Sequence, residues 1–251
     1  MSKISVRDSA VFVTGANRGI GRALVEEALT RGASFVYAAA RDTSTLSEAA
    51  EQSNGRIIPV ELDVTNQNHI AKAAQQAKDT RILINNAGIA GFSGFMFDFS
   101  EESARQELEV NYFGPLNVTR AFVKTLIHRK GAVVNMVTVG GLSNFPLAAT
   151  YSASKAATHS LTQGIRAEMG PHGVSVFGVY PGPIDTDMAA GVEMEKESPA
   201  NVATRIFDGM EQGVEDITTD KFSDEFVSNL KVNAKAVEKE FSQMAHQPES
   251  I

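Results

Sequence analysis

Short runs of β-branched and apolar residues alternate along the chain with longer stretches whose apolar positions recur every three or four residues. The strand-like runs are residues 10–14, 34–39, 57–61, 82–85, 132–136 and 174–180. Between them, helical spacing covers residues 20–31, 44–52, 66–78, 101–128 and 151–169. Parallel neighbours need a long crossover, and a helix supplies it, so this alternation predicts βαβ units. Right-handed crossovers then set helices on both faces of a doubly wound parallel sheet, an α/β fold of Rossmann-like type. Runs such as Val133-Val134 are apolar on both sides of the pleat, as a sheet covered on both faces requires. No linker, repeat or low-complexity segment interrupts the pattern, and one domain over residues 1–251 is expected.

Past residue 190 the pattern changes. Residues 199–212 and 222–244 read as helices, the second with Phe222, Phe226, Leu230, Val237 and Phe241 at helical spacing. Such a stripe ordinarily docks a helix on the body or on a second subunit, and packing is the expected role here. From His246 on, a loose tail is expected.

Composition narrows the chemistry. With 251 residues, 43% hydrophobic and 21% charged, the chain can bury one large core. A net charge of −7 argues against non-specific binding to nucleic acid or to a membrane surface. Cysteine is absent, which excludes disulfides, thiolate nucleophiles and Cys-ligated metals. No signal-peptide core and no apolar run of about 18 residues is present, so a cytoplasmic protein without a membrane partner is expected. Of the five histidines only His172 has a carboxylate at i, i+4 spacing (Glu168), and no metal is expected. Neither a Gly-x-Ser-x-Gly elbow nor a Gly-Lys-Ser/Thr loop occurs.

Thr14-Gly15-Ala16-Asn17-Arg18-Gly19-Ile20-Gly21 follows the first strand and opens the first helix. There, free backbone N–H groups and the positive end of the helix dipole suit a pyrophosphate, and glycines let it approach without meeting a Cβ. A glycine-rich turn without ligand is the plain alternative; the position after strand one favours the functional reading. The second strand runs into Ala40-Arg41-Asp42. Arg41 suits a 2′-phosphate, with Arg18 on its other side, and this predicts NADP(H). A shift of one residue in the strand end would exchange Arg41 with Asp42, whose carboxylate would instead meet a 2′-hydroxyl.

Tyr151-Ser152-Ala153-Ser154-Lys155 opens the helix beyond the fifth strand. Four residues make about one turn, so Tyr151 and Lys155 share a face. A neighbouring ammonium is expected to favour phenolate, lower the Tyr151 pKa and ease proton exchange with a substrate oxygen.

These motifs, with Asn85-Asn86-Ala87-Gly88 after the fourth strand and Pro181-Gly182 after the sixth, resemble the short-chain dehydrogenase/reductase family over about residues 8–190. The resemblance implies a cofactor-binding and catalytic core in residues 1–190 and a substrate loop with C-terminal helices in 191–251. It implies that the residue thirteen before the tyrosine, Thr138, polarises the substrate carbonyl. Serine is usual there; threonine keeps the hydroxyl and adds a methyl that narrows the pocket. Ser143 is the less suitable substitute. Asn111 matches a fourth catalytic position that holds a water leading from the lysine to solvent, although a buried mid-helix Asn also serves structure. By the same matching Asp63 and Val64 bracket the adenine, with a turn-initiating role for Asp63 as the alternative. Asn86 meets a ribose, Lys155 the nicotinamide ribose, and Pro181, Gly182, Ile184 and Thr186 the carboxamide.

Phe92, Phe95, Phe97 and Phe99 form an aromatic cluster after Gly88, of which at least half are expected in core or interface. Phe92, Phe145 and Met188 are expected to edge an apolar substrate site. The expected activity is therefore NADPH-dependent carbonyl reduction, reversible to alcohol oxidation, on a hydrophobic ketone, aldehyde or alcohol. A nucleotide-binding sensor with little catalysis is the rival, and an isomerase a weaker third reading. A homodimer or homotetramer is expected; residues 213–220 pass straight into the last helix where relatives carry a seventh strand, which counts against the tetramer. Titration of NADPH and NADH against wild type and Arg41→Ala tests the cofactor reading. A preference of about tenfold (about 1.4 kcal/mol) is expected to vanish in the variant.

Overall fold

In a computed structural model that describes residues 3–96, 98–191 and 193–243, seven parallel strands form one sheet. The strands are β1 (Ala10–Thr14), β2 (Phe35–Ala40), β3 (Ile57–Glu61), β4 (Ile82–Asn85), β5 (Ala132–Met136), β6 (Ser175–Tyr180) and β7 (Asp216–Thr218). Their order is β3-β2-β1-β4-β5-β6-β7. The helices are α1 (Gly19–Thr30), α2 (Ser47–Gln52), α3 (Gln67–Gln76), α4 (Glu101–Leu108), α5 (Gly114–Arg129), α6 (Ala149–Met169), α7 (Pro199–Gln212) and α8 (Lys221–Ser242). Successive strands are joined by crossovers to parallel neighbours, except that from β3 the chain returns across the sheet to β4 beside β1. Every residue of β1, β4 and β5 is buried.

Two apolar layers sandwich the sheet. Leu24 and Ala28 of α1 meet Val202, Ile206 and Phe207 of α7 on one face. Arg31 reinforces that pairing with bonds to Glu27 (2.7 Å), Asp208 (2.7 Å) and Glu211 (3.2 Å). On the other face Ile70 of α3 and Val118, Phe122 and Leu126 of α5 pack over Phe12, Leu83 and Val133.

Three parts depart from the sequence pattern. The helix expected over 101–128 is broken by a wider turn at Glu109–Phe113, in which the Gly114 N–H reaches back to the Glu109 carbonyl. Pro115 has no N–H for the Asn111 carbonyl four residues earlier, and the Thr158 hydroxyl donates to that carbonyl instead (2.7 Å). The last helix is not straight. Asn233 leaves helical geometry (φ −156°, ψ 88°) and its Oδ1 accepts the Ala236 N–H at 3.0 Å, capping a second segment. Phe226 and Phe241 would lie about 22 Å apart on one straight helix; their rings are 5.4 Å apart, so the chain folds back on itself. Met244, the expected end of this helix, and the tail from His246 lie outside the described residues. A seventh strand is present, so the reason for doubting a tetramer does not hold. Its three residues are too few to register as a strand run.

No helix among the described residues is long and apolar enough to cross a membrane. Phe122 is fully buried with its ring 4.9 Å from that of Phe12. Phe122→Ala is expected to cost about 3–5 kcal/mol, read as a lowered midpoint in urea denaturation.

Candidate active site

The strand order reverses between β1 and β4, and the loops leaving their carboxyl ends part there to open a crevice. They are knitted together first. The Thr14 hydroxyl accepts the N–H groups of Asn86 (3.0 Å) and Ala87 (2.9 Å). The Asn86 amide in turn donates to the carbonyls of Thr14 (2.9 Å) and Gly15 (3.0 Å). Gly15 takes a left-handed conformation (φ 64°), and a Cβ on Gly21 would run into the Gly15 carbonyl. The glycines thus allow a turn too close for side chains, and α1 starts at its end with no acidic residue in the first turn.

A cleft of about 1730 Å³ extends from this turn along the carboxyl ends of the strands. Gly15, Asn17, Arg18, Gly19, Ile20 and Gly21 line one end, with Arg41, Asp63, Val64 and Asn86 beside them. Pro181, Gly182, Ile184 and Thr186 line its middle, where Thr138, Tyr151 and Lys155 also converge. The spatial grouping expected of these residues is therefore present. Ser143 does not line the cleft.

Their individual bonds refine the picture. β2 ends at Ala40, so Arg41 is the first residue beyond the strand, and Asp42 caps the next turn by accepting the Ser44 N–H (2.9 Å). Arg18, expected beside Arg41, instead reaches across the cleft to Asp187 (2.7 Å), both side chains exposed. Asp63 Oδ1 takes the Thr65 N–H (2.9 Å) and hydroxyl (2.8 Å), as in a turn. Burial pushes the Asp63 carboxyl up, but those bonds and the charge of Arg41 hold it below its ordinary value. Asn111 is fully buried: Oδ1 accepts the Ile89 N–H, and Nδ2 donates to the Ile89 carbonyl and to Ser154 Oγ, each at 2.9 Å.

Around the reacting groups, the Thr138 hydroxyl donates to the Pro181 carbonyl (2.9 Å), which joins the loops after β5 and β6. Lys155 is 4% exposed and donates to the Met136 carbonyl (2.8 Å), with its Nζ 5.7 Å from the centre of the Tyr151 ring. Burial lowers the Lys155 pKa to about 8. The expected lowering of Tyr151 is not found. Burial raises its phenol, and the charge of Glu107 raises it further. The lysine's bond is made to a carbonyl, not to the phenol, and desolvation prevails.

The substrate end is apolar. Phe92, Phe145 and Met188 line it as expected, joined by Leu147, Met194 and Phe222. Phe145 is held by its N–H to Ser152 Oγ (3.1 Å) and backed by the ring of Phe241 at 4.3 Å. Phe95 and Phe99 are exposed and do not line the cleft, and Phe97 lies outside the described residues. Four contributors went unforeseen: Leu147, Met194, Phe222 and Asp220. Phe222 was grouped with a packing stripe, since its helical spacing carries no sign of where the helix starts. Asp220 caps α8 through the Ser223 N–H (2.8 Å) and also accepts the Gly182 N–H (2.9 Å). The signal for the cap was an Asp three residues before Ser223; nothing in the spacing reports the second bond.

Comparison with known proteins agrees with this geometry. The family model described as short chain dehydrogenase matches residues 9–197. Short chain dehydrogenase pigC of Monascus ruber is 32% identical over 75% of this chain and 67% of its own length. The NADPH-dependent 1-acyldihydroxyacetone phosphate reductase of Saccharomyces cerevisiae is 34% identical over 70% of this chain. The chain covers 61% of that relative. A crystal structure of a short chain dehydrogenase from Burkholderia cenocepacia J2315 in complex with NADP superposes with a TM-score of 0.90. It is 37% identical and covers 95% of this chain, which covers 99% of it. The chain belongs to the short-chain dehydrogenase/reductase family of oxidoreductases, with a single-domain Rossmann-like fold.

Proposed function

We propose that this oxidoreductase is an NADPH-dependent carbonyl reductase, reversible to an alcohol dehydrogenase, for hydrophobic ketones, aldehydes or alcohols. The observation that carries the reading is the meeting of Thr138, Tyr151 and Lys155 in the same cleft as the glycine turn. The turn suits a dinucleotide, because its glycines line the cleft where α1 begins with no acidic residue in its first turn. NADP(H) is supported by Arg41 beside the cleft while Asp42 serves as a cap, and by the NADP of the Burkholderia relative. The NADPH named for the yeast relative points the same way.

When bound, the nicotinamide supplies the hydride for the carbonyl carbon. The chain's own residues manage the oxygen. Thr138 has a single hydroxyl hydrogen, now given to the Pro181 carbonyl, and turns it to the substrate oxygen. Tyr151 gives that oxygen its proton, and burial keeps it a phenol, the form a proton donor needs. Lys155 compensates the phenolate left behind and holds the nicotinamide ribose. Asn111, through Ile89 and Ser154, keeps the loop and the catalytic helix in register and supports proton supply. The apolar substrate end favours a neutral substrate. The yeast relative's name carries a phosphate, so a phosphorylated ketone belongs in the test panel.

Tyr151→Phe is expected to abolish NADPH oxidation across a panel of ketones while NADPH still binds. Binding without turnover by wild type over the whole panel, or retention of most activity in the variant, would overturn the proposal. The pH dependence follows from Lys155. With its pKa lowered to about 8, the ammonium is present below that pH and lost above it. Ketone reduction is therefore expected to decline as pH rises through about 8 in steady-state profiles.

A further inference from the structure

Glu107, on α4, has a carboxyl group with no assigned part in the reaction. The residue is 0% exposed, yet no cation among the described residues pairs with it. Arg105, two positions earlier, bonds Glu101 on the solvent side, and the ammonium of Lys155 bonds Met136. One oxygen, Oε1, accepts the Gly91 N–H at 2.6 Å. The other, Oε2, is buried with no hydrogen-bond partner among the described residues. A carboxyl group half-satisfied in the interior costs stability, and an apolar side chain of the same size would pack there at less cost.

Two features of its surroundings connect it to the cleft. Gly91 immediately precedes Phe92, which lines the substrate end in a left-handed backbone conformation (φ 49°). A bulky residue stays in that region only when its neighbours hold it. Before Phe92 the restraints are Glu107 at Gly91 and Asn111 at Ile89, and after it Thr150, Asp98 and Ser100 hold Ser93. The second feature is α6, which packs against α4 and carries Tyr151 and Lys155. The loop 88–92 brings no titratable group, and Glu109 of the wide turn is exposed.

We propose that Glu107 is a positioning residue: through Gly91 it holds Phe92 in the substrate wall, and through its buried charge it holds Tyr151 as the protonated phenol. This rests on Tyr151 as the proton donor. A negative charge near the phenol disfavours phenolate, in line with the raised phenol described above. Phenolate is the form that deprotonates an alcohol, so the charge moves the onset of alcohol oxidation to higher pH.

Two variants separate the roles. Glu107→Gln keeps an oxygen for the Gly91 N–H and removes the charge. It is expected to raise alcohol oxidation at pH 7 about threefold, equivalent to about half a pKa unit, with the rising limb of the pH profile moved to lower pH. Glu107→Asp keeps the charge and is too short to reach Gly91. It is expected to raise KM for a bulky ketone about threefold with the limb unmoved. A Glu107→Gln limb that overlays wild type overturns the proposal, as do variants that change KM and limb alike. If the Gln variant does not fold, an Asp variant with unchanged KM or a displaced limb overturns it. An active Tyr151→Phe variant would remove the underlying mechanism; an inactive one beside an unmoved Gln limb would remove only the role of Glu107.

Discussion

The site depends on two loop backbones lying against each other where the sheet reverses its order. Thr14 and Asn86 make four hydrogen bonds across this seam, so the carboxyl ends of β1 and β4 are held as one surface. A Cβ on Gly15 would lie 3.0 Å from the Ala87 Cα, in a left-handed conformation (φ 64°) that glycine takes without strain, so a side chain there would press the two loops apart. The glycine turn and the adjoining part of the cleft are thereby built on a single junction.

A second set of bonds carries that rigidity to the catalytic helix. Asn85 bonds Thr119 (3.0 Å) and Asn135 (2.8 Å), and Asn135 bonds Thr162 of α6 (3.0 Å), a buried polar ladder that crosses from strand to helix. Near the reacting end, Pro115 leaves the Asn111 carbonyl free for Thr158, and the Asn111 side chain ties Ile89 to Ser154. Tyr151 and Lys155 therefore ride on a helix anchored to both the sheet and the preceding helix. Networks of this kind restrict a site to one geometry because any misalignment leaves a buried polar group unpaired.

Desolvation raises the phenol and lowers the lysine, so both groups are drawn toward their neutral forms in the cleft. The Thr138 hydroxyl, bonded to Pro181, links the loop after β5 to the loop that Asp220 holds from behind. The folded-back C-terminal segment thus reaches both the middle of the cleft, through Gly182, and its apolar wall, through Phe222 and Phe145.

Six of the seven strands, the glycine turn and the Tyr151–Lys155 pair were legible in the chain because each follows from local periodicity or from spacing within one turn. Helical phase alone puts Tyr151 and Lys155 on one face, and a strand followed by glycines already defines an anion cradle. Other features depend on partners remote in sequence. The phenol rises instead of falling because its burial, and the charge of Glu107 forty-four positions earlier, are created only by packing α4 against α6. The bend at Asn233 is decided by the aromatic cluster that it allows to form around Phe145, and the pairing of Arg18 with Asp187 by the loop that crosses the cleft. Local pattern specifies what each segment is; desolvation and long-range pairing, which have no signature in spacing, decide what its side chains can do.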